Sequence, residues 1–129
     1  MIVSAIFAIL FTIFSAIVAL FYLCLGFGAP WGEMAMGGKY PGKLPNKIRV
    51  VCFLQQGLYV LLCLIVLSRA DLVLSGSSLS EDGAIYFVVA LLALGTIMNL
   101  ISPSKKERNL WSPVAGAMFI SSLIVALRV

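Results

Sequence analysis

Residues 2–27 read IVSAIFAILFTIFSAIVALFYLCLGF, without one charged side chain. A helix needs about 20 such residues to cross the hydrocarbon core of a bilayer. Open strands and loops leave backbone polar groups unsatisfied there, so a lone apolar run of this length reads as a transmembrane helix. It begins at Ile2 with no basic segment before it and outruns the apolar part of a secretory leader, so it is expected to stay as a permanent span.

Three further apolar runs follow at 50–68, 83–102 and 113–127. The last is short and leans on Trp111, Ser112 and Arg128 as interfacial anchors. The expected fold is all-α: a single domain over 1–129, a polytopic membrane protein with four transmembrane helices in an antiparallel bundle. Composition agrees. Of 129 residues, 62% are hydrophobic and 11% charged, against about 25% charged in soluble domains. A soluble fold of this size would leave large apolar patches in water.

The connections carry the polarity. Residues 28–49, GAPWGEMAMGGKYPGKLPNKIR, are broken by glycine and proline and predict a loop. Residues 69–82, RADLVLSGSSLSED, predict a polar loop closing on a helix start, with Ser80 as the N-cap and Glu81 and Asp82 at the positive end of the helix dipole. Residues 103–112, PSKKERNLWS, read as a tight basic turn. The first and third connections hold seven of the nine lysines and arginines; the opposite side has Arg69, Arg128 and three of the five acids. The positive-inside rule then places 28–49 and 103–112 in the cytoplasm and both termini on the outer side. The net charge of +4 is a topology signal, and no nucleic-acid partner is expected.

Chemistry is sparse. There is no histidine, and Cys24, Cys52 and Cys63 form no CxxC pair, which excludes the usual zinc sites, imidazole acid–base chemistry and a disulfide framework. No metal, cofactor or catalytic residue is expected. No Asp, Glu, Lys or Arg falls inside the four apolar runs, whereas cation-coupled transporters commonly carry one. The first helix also lacks the glutamate that marks small multidrug exporters of this length.

On the first helix Ser4, Ala8, Thr12, Ser15 and Ala19 recur every three or four residues and predict a helix-packing seam. The second carries a semipolar stripe of Cys52, Gln56, Tyr59 and Cys63. Gln56 should face inward and find Asn99 of the third helix, because an unpaired amide in hydrocarbon is costly. At the cytoplasmic boundary Trp31, Glu33, Gly37, Gly38, Lys43, Arg49, Gln56, Asn99 and Arg108 are the candidates for a ligand or lipid-headgroup site. Glycine-rich backbone can cradle an anion, and nearby cations favour an anionic headgroup. Glu33 and Glu107 are expected in surface pairs with Arg49 or Arg108.

GAPWGEMAMGGKYPGKLP (28–45) and ISPSKKERNLWSPV (101–114) resemble stretches of small, uncharacterised bacterial four-helix membrane proteins. The resemblance implies the bacterial cytoplasmic (inner) membrane and membrane lipids as surroundings; it brings no activity, so no functional residue is carried over. Three readings follow. The leading one is a non-enzymatic helix-packing module assembling as a homo-oligomer or with a partner membrane protein. The alternatives are an oligomeric transporter or channel for a small neutral or anionic solute, and a headgroup binder or interfacial enzyme using the glycine-rich loop.

Overall fold

The computed structural model describes residues 2–35, 39–40, 42–73 and 81–127, without the Glu33 side chain. It is all-helical, with α1 (Ile2–Gly26), a 3-10 turn (Gly32–Met34), α2 (Asn46–Arg69), α3 (Asp82–Leu100) and α4 (Lys105–Ala126). All four α-helices are long and apolar enough to span a membrane. Three of them follow the expected spans to within a few residues.

The fourth does not. It starts eight residues before Pro113, so most of the expected basic turn is its first two turns. The cause is local: the Ser104 hydroxyl accepts the Glu107 N–H at 3.3 Å, and Ser-x-x-Glu is the N-terminal signature of a capping box. Pro113 therefore sits inside the helix and deprives the Asn109 carbonyl of its helical donor. At α3 the N-cap position is Glu81; Ser80, expected there, lies outside the described residues.

Helix ends follow ordinary rules. Gly28, at φ 103°, closes α1: the Ala29 N–H reaches the Cys24 carbonyl and the Gly28 N–H the Leu25 carbonyl, both at 3.0 Å. This is a Schellman cap, whose left-handed position favours glycine. Asp71 fills the same position after α2 at φ 61°, with Leu72 N–H on the Leu67 carbonyl.

The core joins all four helices through Ala8, Phe11, Val18, Leu62, Ile65, Val88, Leu92 and Met118. Ser4, Ala8 and Ser15 of the seam are buried and Thr12 and Ala19 half-buried, so this chain's own helices cover much of that face. Apolar helices satisfy their hydroxyls internally: Thr12 donates to the Ala8 carbonyl at 2.9 Å and Thr96 to the Leu92 carbonyl at 2.7 Å. The outer faces stay apolar and exposed, the pattern of helices solvated by acyl chains.

Two ionisable groups at helix ends, outside the four apolar runs, are buried. Arg69, 6% exposed, closes α2 and donates to Asp82 Oδ1 at 2.6 Å and to the Ala126 carbonyl at 2.8 Å. It thus clasps the end of α2 to the start of α3 and the end of α4. Glu107 of α4 is 8% exposed.

Candidate functional site

Glu107 is the third residue of α4, and a turn-by-turn count from it gives Trp111, Ala115 and Met118 along one helix stripe. These four line a cavity of about 40 Å³ together with Val18 and Tyr22 of α1, Met34 of the 3-10 turn, Tyr59 of α2 and Asn99 of α3. That is a few times the minimum space for one water. Every helix contributes at least one wall residue.

The walls are chemically specific. Tyr22 and Tyr59 stack with ring centroids 6.1 Å apart. Trp111 packs on Phe21 at 4.7 Å, and its indole N–H donates to the Met34 carbonyl at 2.9 Å, fastening the 3-10 turn beside the cavity. Asn99 Nδ2 donates to the Gly95 carbonyl of its own helix at 2.9 Å, which leaves Oδ1 as the acceptor end of that amide. Glu107 stands in the first turn of α4, at the positive end of its dipole. A carboxylate, an amide oxygen, two phenols and an indole around so small a space can hold a compact cation, through charge and through aromatic faces.

The expected pairing of Gln56 with Asn99 is not formed. Asn99 is already bonded within α3, and it is Gln55 that lines the cleft of about 200 Å³ between α2 and α3 beside Asn99. Gln56, one residue on, is half-buried elsewhere on α2. The semipolar stripe is divided: Cys52 is buried, Tyr59 faces the cavity, and Cys63 Sγ donates to Thr12 Oγ1 at 3.4 Å.

The surface pairs expected of Arg49 and Arg108 with Glu33 rest on a side chain outside the described residues, and both arginines bind backbone carbonyls. Arg49 Nε donates to the Gly26 carbonyl at 2.8 Å and Arg108 Nη1 to the Ser102 carbonyl at 3.0 Å. Arg49 thus binds the last residue of α1, where the dipole is negative, and Arg108 binds the connection between α3 and α4. Trp31 is exposed and stacks on Phe21 at 6.3 Å, lining an apolar lateral groove with Cys24, Leu110 and Trp111. Lys43 is exposed and lies against Gly28. Gly37, Gly38 and the Glu33 side chain fall outside the described residues.

Sequence reading missed Tyr22 and the burial of Glu107. The signal for Glu107 was present: Ser104-x-x-Glu107 directly before an apolar run starts the helix at Lys105 and puts Glu107 one turn from Trp111. No protein family, characterised protein or solved structure matches this chain.

Proposed function

We propose that this protein is a non-enzymatic, multi-pass membrane module whose working element is the cavity around Glu107, a binding site for a small ammonium-type cation. The observation that carries this reading is a glutamate 8% exposed sharing a cavity of about 40 Å³ with Tyr22, Tyr59, Asn99 and Trp111. An ionisable side chain buried among apolar helices is a functional-site signal. The carboxylate turns the solute preference away from the neutral or anionic solute of the alternative reading and toward a cation. In this reading the helices alternate in direction, the basic connections face the cytoplasm of a bacterial inner membrane, and both termini are outside.

The test is a fluorescence titration of the Trp31→Phe protein in vesicles, which leaves Trp111 as the reporter. Methylammonium is expected to give a saturable change in emission that Glu107→Gln weakens about tenfold or more, the value of one charge-assisted contact. A wild-type signal that does not respond to methylammonium, while the protein remains folded, refutes the cavity as a cation site.

Assembly is the second reading, on a different surface. Ile2, Ile6, Ile9, Ile13, Ala16 and Leu20 are all exposed and repeat at alternating spacings of four and three, the a/d pattern of paired helices. Two copies meeting along this face of α1 are expected to cross-link through Ile9→Cys and not through Leu94→Cys, which is exposed on α3. Equal cross-linking at both positions signals random collision.

A further inference from the structure

Gly28 draws two cations together. A β-carbon built on it would meet Lys43 Cε at 2.8 Å, with Lys43 Nζ at 3.5 Å and Arg49 Nη2 at 3.6 Å. Both positive groups therefore converge on one backbone position, at the C-terminal end of α1. Arg49 is held there by two groups in two directions: its Nε donates to the Gly26 carbonyl at 2.8 Å, and its Nη1 reaches Asn46 Oδ1 at 3.4 Å. Neither bond uses Nη2. Among the described residues no carboxylate pairs with Lys43 or Arg49.

Like charges this close repel, and a flexible lysine ordinarily relieves the strain by turning to water. One helix-end dipole needs one cation, and Arg49 already supplies it. A second cation at the same point is stabilised by an anion between the two. The apolar neighbour of this pair is also specific. Phe53 lies against Gly26 and meets Phe27 edge-on at 5.2 Å, and Phe27 is strongly exposed. Along the last turn of α1 the order is thus an aromatic pair and then a cation pair, apolar to charged.

We infer that Lys43 and Arg49, brought together at Gly28, form a binding site for a phosphate group. The guanidinium presents a fixed donor and the ammonium a mobile one, a combination suited to a phosphate oxyanion. The chemistry is shared by an anionic phospholipid headgroup and by free phosphate. The site uses none of the residues around Glu107, so it stands or fails independently of the cation reading.

The experiment is native mass spectrometry of the full chain in detergent, with added phosphatidylglycerol, phosphatidylcholine or inorganic phosphate. Wild-type protein is expected to retain phosphatidylglycerol over phosphatidylcholine. Lys43→Gln should weaken that retention roughly fivefold, the value of one basic contact at an anionic headgroup. Lys47→Gln is the control: Lys47 is exposed and two residues from Arg49 on α2, hence on another face of the helix. Equal loss in both variants, or no preference for phosphatidylglycerol in the wild type, overturns the site. Where inorganic phosphate displaces the lipid in wild type and not in Lys43→Gln, free phosphate is the ligand; where lipid persists in excess phosphate, the headgroup is. Arg49→Lys, which keeps the charge and loses the fork, provides the second variant and is expected to fall between wild type and Lys43→Gln.

Discussion

Gly32→Ala is expected to destabilise the protein by about 3 kcal/mol, at the upper end of what overpacking costs. A β-carbon on Gly32 would overlap the Tyr40 carbonyl oxygen, stand 2.6 Å from the Gly42 carbonyl oxygen and 2.9 Å from Leu44 Cδ2. Two of these neighbours are backbone, which cannot swing aside as a side-chain tip can. The Gly32 N–H also donates to the Gly42 carbonyl at 2.9 Å, so relief of the clash breaks the bond that closes the first connection on itself. Met34, two residues on, accepts the Trp111 indole N–H. Loss of the turn should therefore shift Trp111 emission to longer wavelength as well as lower the thermal midpoint in detergent. Gly57→Ala is the contrast. Nothing lies within 4 Å of its β-carbon position, and alanine in a helix interior gains up to about 1 kcal/mol over glycine. A Gly32→Ala midpoint equal to wild type would show that the connection does not pack as described.

The second large effect is an asymmetry at the other end of the helices. Asp82→Ala is expected to cost about 2–3 kcal/mol and Arg69→Met about 1–2 kcal/mol, although both delete the same ion pair. The acid is 78% exposed and the base 6%. Removing the acid leaves a buried guanidinium without this counter-charge, whereas removing the base leaves a carboxylate that water solvates. Arg69→Met also loses the donor to the Ala126 carbonyl at 2.8 Å, a buried acceptor left unmet. The estimate for Asp82→Ala sits below the usual range for a broken buried pair, because water reaches the carboxylate and screens it. The double variant should be about as stable as Arg69→Met alone, since the pair acts as one unit. Chemical denaturation of the three proteins in the same detergent measures the cycle; a larger loss in Arg69→Met than in Asp82→Ala would reverse the argument.

These features differ in how far residue order exposes them. The run from Ile2 to Phe27 is uncharged over more length than a bilayer requires, so its helix is dictated by the solvent it needs, and the same holds for α2 and α3. The start of α4 was legible too, from Ser104 and Glu107, but Pro113 and the basic residues before it argued for a turn and masked the capping signal. Within α1 the buried stripe runs Ser4, Ala8, Phe11, Ser15, Val18, Phe21 and Leu25; its small residues were legible because they permit close approach of helices, whereas its large ones look like the lipid-facing residues around them until the neighbouring helices are in place.

Composition and periodicity determined that this protein consists of apolar helices joined by basic and acidic connections, because helix formation in hydrocarbon depends on a continuous local property of the chain. Which polar groups meet was decided only by tertiary structure. Tyr22, Tyr59, Asn99 and Glu107 come from four different helices, and Lys43 and Arg49 converge on a glycine more than ten residues before either. Such juxtapositions depend on the rotation and depth of each helix against its neighbours, and those are set by the fit of buried side chains, a property no single stretch of sequence contains.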